Sequence, residues 1–160
     1  MKESFRHCNG GEHTTKTRIV DHEIKLVAYY PNYPTALEWY QDLELCKQVD
    51  NRDTAYDINL LKRMYKYLNN RGDLFYIKYK NRLCGDVCLQ YNGEVNIVIA
   101  KPFQNKHIGR RVVNEIIQLA KEKDIPQLHT EIYDFNTQSQ KMFRSIGFRK
   151  VDNEQYILTL

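Results

Sequence analysis

The chain has 160 residues, a length typical of one domain. Its hydrophobic content of 42% and charged content of 28% are those of a globular protein, which excludes a disordered chain and a fibrous repeat. The net charge of +4 is small and the basic residues are scattered, so we expect no nucleic-acid partner. The longest apolar stretch, residues 95–100, is much shorter than the roughly 18 residues of a membrane helix, so we expect no membrane span.

The N-terminal segment, residues 1–22, is predicted to be a flexible extension of a single domain that spans residues 23–160. Residues 1–11 are polar and lack the apolar segment of a signal peptide. This composition predicts a cytoplasmic protein.

Cysteine and histidine spacing predicts neither a disulfide nor a metal site. In a reducing compartment the four cysteines remain thiols. Cys84 and Cys88 share one face of a predicted strand about 13 Å apart, which is too far for a bridge. His7, Cys8 and His13 lack a second paired cluster at zinc spacing, so we predict no bound metal.

The first part of the domain is predicted to contain one strand and short helices. Residues 23–30 form the strand, which ends at prolines because proline cannot donate to a ladder. Residues 35–40 and 42–49 form one broken helix or two short helices. Thr54-Ala55-Tyr56-Asp57 matches a capping box that begins a better helix, whose apolar residues recur at helical spacing until Gly72.

The hydrophobic period then changes from helical to alternating. Residues 74–79 and 82–91 predict a hairpin, and residues 94–100 predict an apolar strand covered on both faces. Residues 108–123 carry apolar side chains at spacings typical of an amphipathic helix, and residues 128–133 are again extended. A strand, a helix and a strand in this order predict parallel pairing through a right-handed crossover.

The C-terminal part is predicted to complete the sheet. Residues 137–146 form a helix that ends at Gly147, since glycine favours the left-handed C-cap, and residues 148–151 and 154–160 form closing strands. Together the elements predict an α+β fold, layered α/β/α, in which about four helices cover a mixed central sheet of about six or seven strands. The fourth and fifth of these strands are the parallel pair.

The segment from Gln104 to Arg111 carries candidate chemistry at the start of a helix. Unpaired backbone N–H groups and the positive end of the helix dipole together bind a phosphate or pyrophosphate. Lys106, Arg110 and Arg111 add positive charge. Taken alone, the segment also fits an exposed basic turn, and it lacks the glycines of a dinucleotide-binding or Walker loop.

This loop and helix, followed by Asn136-Thr137-Gln138-Ser139, Phe143 and Gly147-Phe148, resemble the GNAT superfamily of acetyl-CoA-dependent N-acetyltransferases. The acetyl-CoA loop of that family reads Gln/Arg-x-x-Gly-x-Gly/Ala. Its later helix often reads Asn-x-x-Ala/Ser-x-x-x-Tyr-x-x-x-Gly-Phe. The order of elements matches the family from about residue 23 to residue 160, and the motifs lie within residues 97–148.

The resemblance implies a GNAT-like sheet in which the fourth and fifth strands splay apart and acetyl-CoA, as cosubstrate, lies in the cleft between them. The backbone of the fourth strand would pair with the pantetheine arm, and the loop with the pyrophosphate. The residues implied to bind acetyl-CoA are Ile97, Val98, Ile99, Gln104, Asn105, Lys106, His107, Ile108, Gly109, Arg110, Asn136, Ser139 and Phe143.

The resemblance also implies direct attack of a primary amine, from a small molecule or a protein N-terminus, on the thioester. Such an attack requires a neutral amine, and removal of its proton contributes about 10²- to 10⁴-fold to the rate. Glu94, Glu131 and Tyr133 are the candidates for this role, directly or through water. For each of them a structural or solvated role remains open.

Two positions depart from the family pattern. His107 stands where the family usually has its first loop glycine, so we expect a negative φ there. Phe143 stands where many members have the tyrosine that protonates the leaving thiolate. A thiol with a pKa of about 8.5 can leave without a dedicated acid, or water, Ser139 or Tyr133 can replace the tyrosine.

The resemblance places the acceptor pocket under the early helices and the last strands. Trp39-Tyr40-Gln41-Asp42, followed by Leu45 and Val49, resembles the early helix of the branch that acts on protein N-termini and small amines. Six acidic residues there either attract a cationic amine or form a solvated face: Glu38, Asp42, Glu44, Asp50, Asp53 and Asp57. Five aromatic residues either line the pocket or belong to the core: Tyr29, Tyr30, Tyr33, Trp39 and Tyr40.

Three functions remain open from the sequence. The leading one is an N-acetyltransferase whose partners are acetyl-CoA and an amine acceptor. The second is a catalytically silent module that binds acyl-CoA as a sensor, which the missing tyrosine and the altered glycine favour. The third is a structural domain whose loop binds nothing, against which Gln104, Gly109, Asn136 and Gly147 argue. The sequence leaves open the acceptor amine, the acyl chain and the choice between a monomer and a homodimer.

Overall fold

The computed structural model describes residues 15–160. The helices and strands follow in the order β1 (Arg18–Ile19), β2 (Ile24–Ala28), α1 (Tyr33–Trp39), α2 (Leu43–Asp50), α3 (Ile58–Arg71), β3 (Gly72–Tyr79), β4 (Arg82–Gln90), β5 (Val95–Ile99), α4 (Ile108–Glu122), β6 (Gln127–Glu131), α5 (Thr137–Ile146), β7 (Arg149–Asp152) and β8 (Gln155–Thr159). A short 3-10 turn, Lys101–Phe103, follows β5. The predicted α+β class is confirmed.

The strands form two antiparallel sheets, with the orders β1-β2-β3-β4-β5 and β6-β8-β7. The predicted single mixed sheet, with a parallel ladder between residues 94–100 and 128–133, is therefore wrong. Within residues 15–160, these two strands share one isolated parallel bridge, between Glu94 and His129. The next carbonyl of β5, that of Val95, accepts a hydrogen bond from the Thr130 hydroxyl at 2.9 Å. A side chain thus replaces the backbone donor that would continue a ladder.

The five-stranded sheet is covered on both faces, as its alternating residues require. Phe75 and Ile77 belong to a core cluster that includes α4 and α5. Leu74 and Tyr76 point the other way, into a second cluster with α1, α2 and α3. The sheet therefore separates two apolar layers. A gap at its β5 edge would border both of them.

The segment before β2 packs against the domain. Residues 18–19 pair with β2 as a two-residue strand, which the sequence prediction of a tail up to residue 22 missed. Arg18 also forms ion pairs with Glu115 and Glu122 of α4, each at 2.8 Å. Residues 1–14, with the predicted flexible segment and the cluster His7, Cys8 and His13, lie outside the described residues.

Side-chain caps fix where the helices begin. The predicted capping box is wrong, because the residue that caps α3 is Asp57, whose carboxylate accepts from the Leu60 N–H at 2.8 Å, and not Thr54. Asn136 caps α5 through the Ser139 N–H at 3.3 Å. At the other end of α5, Gly147 has a φ of 123° and terminates the helix as predicted.

Candidate active site

A cleft of about 800 Å³ opens where β5 and β6 separate. One side is formed by β5 and the loop that leads into α4. The other is formed by the end of β6 and the start of α5. Leu45, Gln48 and Val49 of α2 line it from above. The sequence prediction included Leu45 and Val49 only as part of a resembling helix, and it missed Gln48.

All but one of the predicted site residues line this cleft. The predicted catalytic residues there are Glu94, Glu131, Tyr133 and Ser139. The predicted acetyl-CoA-binding residues there are Ile97, Val98, Ile99, Gln104, Asn105, His107, Ile108, Gly109, Arg110, Asn136, Ser139 and Phe143. The exception, Lys106, is exposed and is not among the lining residues.

The start of α4 presents backbone donors to the cleft. His107 is the N-cap, its side chain makes no capping hydrogen bond, and the first turn contains no acidic residue. The first intrahelical bond runs from the Arg111 N–H to the His107 carbonyl at 3.3 Å. The N–H groups before Arg111 therefore have no intrahelical acceptor, and the helix dipole adds a partial positive charge there. An anion is the ligand that such a site favours.

The loop reaches this geometry through two residues in the left-handed region. Asn105 has a φ of 64° and His107 a φ of 61°. The expected negative φ at His107 is wrong. The turn into the helix requires the left-handed conformation that glycine would adopt freely, and histidine and asparagine are among the residues that tolerate it best.

Arg111 does not face the cleft. Its Nη1 contacts Asp21 at 3.0 Å and Glu23 at 2.9 Å, in the turn before β2. The hydrogen bond from Arg111 is the main cause that lowers the pKa of Glu23. The expectation that Arg111 adds charge at the phosphate site is therefore wrong, and Arg110 is the arginine that lines the cleft.

Gln104 connects the loop to the helix above it. Its Nε2 donates to the Ile99 carbonyl at 2.8 Å and to Gln48 Oε1 at 3.2 Å. Its Oε1 is buried and has no hydrogen-bond partner among residues 15–160. Lys101 and Glu44 form a second link, an ion pair at 2.9 Å. These contacts hold α2 over the cleft.

Residues 36–148 match the sequence profile of the Acetyltransferase (GNAT) family. The chain belongs to this family. A search of curated proteins found no significant match.

Three solved structures resemble this GNAT chain, at identities that show the fold alone. An acetyltransferase from Salmonella typhimurium that modifies the N-terminal serine of a 50S ribosomal subunit protein has a TM-score of 0.73 and 12% identity, over 90% of this chain and 99% of that one. Spermidine N-acetyltransferase from Vibrio cholerae, in complex with CoA and spermine, has a TM-score of 0.70 and 14% identity, over 86% and 93%. A GNAT family acetyltransferase from Elizabethkingia anophelis with acetyl-CoA bound has a TM-score of 0.64 and 19% identity, over 88% and 100%.

The backbone of β5 is open toward the cleft in this GNAT protein. Glu94 and Ala100 bond to β4, through the Gln90 N–H at 2.9 Å and the Cys84 carbonyl at 2.8 Å. Because backbone groups alternate along a strand, the odd-numbered residues of β5 turn theirs toward β6. The carbonyls of Val95 and Ile99 already accept from side chains. The N–H and carbonyl of Ile97 between them face the gap.

The carboxylates of the cleft lie on the side of β5 opposite to α4. Val98 belongs to the cluster of α1, α2 and α3, so by alternation Glu94 and Asn96 face the same way. The Asn96 amide donates to Glu94 Oε2 at 3.2 Å and in turn accepts from Gln90 Nε2 at 2.8 Å. This chain of amides orients Glu94.

Tyr133 lies at the mouth of the cleft on the β6 side. Its ring stacks on that of Phe135, with centroids 5.6 Å apart and planes 5° from parallel. Burial raises the pKa of Tyr133, and the negative charges of Glu131 and Asp50 raise it further. Tyr133 therefore remains protonated at neutral pH and can donate a hydrogen bond.

Phe143 both lines the cleft and belongs to the core. Its side chain is 2% exposed, and its ring meets that of Phe148 edge-on at 5.0 Å. Because phenylalanine has no hydroxyl, Phe143 cannot serve as a proton donor to the cleft. Ser139, one turn earlier on α5, contributes its N–H to the Asn136 cap.

None of the five aromatic residues that the sequence proposed for the pocket lines the cleft. Trp39 and Tyr40 are buried in the core, Tyr29 and Tyr33 pack against it, and Tyr30 is exposed.

Tyr40 and Tyr65 each donate a hydroxyl hydrogen bond of 2.8 Å to the buried Asp86 of β4. Burial raises the pKa of Asp86 to about 6. The sequence prediction missed Asp86, since nothing in the alternating pattern of β4 distinguishes a buried carboxylate from a solvated one. Neither Asp86 nor the two tyrosines line the cleft.

The six acidic residues of the early helices do not line the cleft either. Asp42 and Asp57 are helix caps. Glu44 pairs with Lys101, and Asp53 pairs with Lys47 at 3.3 Å. The carboxylates that line the cleft itself are therefore Glu94 and Glu131 of the strands, and Asp50 acts only from nearby, on Tyr133.

Among residues 15–160, no group of three or more histidine, cysteine, aspartate or glutamate side chains is arranged to hold a metal ion. No helix in the same part of the chain is long and apolar enough to cross a bilayer.

Proposed function

We propose that this GNAT-family protein is an N-acetyltransferase that transfers the acetyl group of acetyl-CoA directly to a primary amine. The observation that carries the proposal is a single cleft with two chemically different sides. Backbone donors at the start of α4 lie toward one face of the sheet, and the carboxylates of β5 and β6 lie toward the opposite face. A transferase that joins an anionic cosubstrate to an amine needs this separation.

Acetyl-CoA would bind along the α4 side of the cleft. The N–H groups of Ile108, Gly109 and Arg110 would hold the pyrophosphate, with charge from Arg110 and Lys106. The pantetheine amides would pair with the backbone groups of Ile97, which face the gap. The crystallised relatives from Vibrio cholerae and Elizabethkingia anophelis, with CoA and acetyl-CoA respectively, support this choice of cosubstrate.

The reaction would proceed by direct attack. The amine nitrogen forms a bond to the acetyl carbon and the bond from that carbon to sulfur breaks, so the amide and the CoA thiolate result. Glu94 or Glu131 would accept the amine proton, directly or through one water. Backbone N–H groups of β5 would stabilise the negative oxygen that develops on the thioester. Tyr133, Ser139 or water would return a proton to the thiolate.

The second candidate function, a catalytically silent module that binds acyl-CoA, is favoured by Phe143. The ring lacks a hydroxyl and is fixed against Phe148, so it cannot protonate the thiolate. A thiol with a pKa of about 8.5 is still a competent leaving group, because its thiolate is stable enough to depart near neutral pH. The missing hydroxyl therefore does not exclude catalysis, and we favour the transferase because the cleft brings backbone donors and carboxylates together.

Release of thiol from acetyl-CoA across a panel of primary amines tests the proposal. We expect amine-dependent release and an acetylated amine whose mass is higher by one acetyl group. Double replacement of Glu94 and Glu131 by glutamine should slow release about 10²-fold or more, the lower range of general-base contributions. Binding of CoA without release for any amine would identify the silent module instead.

A further inference from the structure

The acceptor side of the cleft has a charge pattern that narrows the class of amine. Leu128 and Ile132 belong to the core cluster around α4. By alternation, Glu131 and Tyr133 face the opposite side, the side that Glu94 also faces. Two carboxylates and an aromatic ring thus border one end of the cleft.

Neither carboxylate is neutralised by a neighbour. Within the described residues, Glu94 and Glu131 form no ion pair, and Glu94 accepts from the Asn96 amide alone. The lysine and arginine side chains that line the cleft, Arg110 and Lys141, come from α4 and α5. Neither of them forms an ion pair with Glu94 or Glu131 within residues 15–160, so both carboxylates remain available to bind a cationic acceptor.

The nearest cation of the roof is held outside. Lys47 of α2 lies 5.6 Å above the ring of Phe135 and contacts Asp53 at 3.3 Å. It is not among the residues that line the cleft. Lys47 thus occupies the ring of Phe135, and the ring that lines the cleft beside Glu131 is that of Tyr133, which stacks on Phe135. A carboxylate next to an aromatic ring is a combination that binds ammonium groups.

We propose that the acceptor amine carries a second positive charge, and that Glu131 binds this second charge while the other amine is acetylated. Glu131 is exposed at the mouth, whereas Glu94 is half-buried near the bridge where the strands meet. A dicationic acceptor can thus reach inward with its reacting amine and leave its distal ammonium at Glu131. This inference rests on the proposed function.

Matched pairs of amines with one or two positive charges test the inference. The pairs are 1-aminobutane with 1,4-diaminobutane, and norleucine amide with lysine amide. We expect kcat/KM for the dicationic member of at least one pair to be about tenfold higher at low salt, and this preference to shrink as salt screens the contact. Equal values of kcat/KM within both pairs would overturn the proposal.

Glu131→Gln isolates the contribution of the side chain. We expect it to remove the preference for the dicationic member of a pair, so that the ratio of its kcat/KM to that of the monocationic member falls about tenfold. The matched control is Glu38→Gln on α1, which removes the same charge from an exposed residue outside the cleft. It should leave both amines unchanged.

The outcomes separate this inference from the proposed function. A fall in kcat for both members of a pair with Glu131→Gln would assign the residue to proton transfer and overturn its role in recognition. Turnover of other amines but of neither pair would also overturn the inference. Absence of thiol release with every amine would overturn the proposed function itself.

Discussion

His107 has a strained backbone in the loop that leads into α4. Its φ of 61° places a side chain in a conformation that costs roughly 1 to 2 kcal/mol for residues other than glycine. Glycine at this position would remove that cost.

His107→Gly is expected to raise the free energy of unfolding by about 1 kcal/mol and to leave CoA binding intact. Chemical denaturation measures the first quantity, and the CoA-dependent melting shift checks the second. His107→Ala is the control, since it removes the imidazole but keeps the strained backbone and should give no gain. If both variants lost the CoA shift, the imidazole itself would be a ligand of the phosphates.

Phe143→Tyr tests the leaving-group side of the cleft. Because Phe143 lines the cleft as well as packing on Phe148, we expect the added hydroxyl to reach the cleft and to change stability by less than about 1 kcal/mol. CoA binding should persist, and turnover should rise only if thiolate departure limits the rate. A loss of about 1 to 3 kcal/mol with unchanged turnover would place the hydroxyl in the apolar core instead.

At the scale of elements, the first turn of α4 supplies the backbone donors on which the proposed function depends. Gly109→Pro removes one N–H at a position where a helix tolerates proline, so the fold should persist while the CoA-induced melting shift is lost. Gly109→Ala is the matched control. It keeps the N–H, and the added carbon would make ordinary contacts with Met142 Cε at 3.4 Å and Ile99 Cγ1 at 3.9 Å. An unchanged shift in folded Gly109→Pro would show that the pyrophosphate binds elsewhere.

Asp86 joins two helices to β4, since Tyr40 follows α1 and Tyr65 lies on α3. Its pKa is raised by burial to about 6, above its ordinary value of 3.8. Between those values the folded state binds the proton more tightly than the unfolded chain does. The contribution of Asp86 to the free energy of unfolding therefore falls as pH rises through this window.

Asp86→Asn should accordingly become more stable relative to the parent protein as pH rises from about 4 to 6, by up to about 3 kcal/mol. Urea unfolding of both proteins at several pH values measures the difference. The difference between the two proteins cancels the contribution of carboxylates such as Glu23, whose lowered pKa makes stability rise with pH. Asp152→Asn, on exposed β7, is the control and should show no such trend. Parallel curves for Asp86→Asn and the parent would contradict the assignment.

For the whole molecule, CoA should act as a stabiliser of the folded state. A ligand that binds only the folded chain adds about 2.7 kcal/mol at a hundredfold excess over Kd. We therefore expect the melting temperature to rise with CoA concentration. It should rise less with pantetheine, which lacks the pyrophosphate. No shift at millimolar CoA would contradict the acetyl-CoA site.

The order of helices and strands could be predicted from the sequence because each depends on local periodicity and end signals, such as Gly147 after α5. The sheet arrangement could not. The order strand, helix, strand predicts that β5 and β6 run parallel. Their ladder ends after one bridge, because the Thr130 hydroxyl donates to the Val95 carbonyl in place of a backbone N–H. The strand at residues 18–19 was missed because two residues give no alternating pattern.

The candidate site divides in the same way. Residues 104–110 adjoin one another in the sequence and could be assigned together, because one loop and one helix start position them. Gln48 could not be found, since it meets Gln104 across 56 residues through contacts that only the folded chain creates. The conformation of His107 was mispredicted because the turn, rather than the intrinsic preference of histidine, sets its φ.

The near-absence of backbone pairing between β5 and β6 also makes the boundary between these two strands mechanically weak. To part β3 from β4, a force must break a ladder that runs from Gly72–Gln90 to Tyr79–Arg82. Between β5 and β6, the described residues form the bridge at Glu94 and the side-chain hydrogen bond at Thr130, so far fewer hydrogen bonds resist widening of the gap. Deformation under load would therefore begin along the cleft.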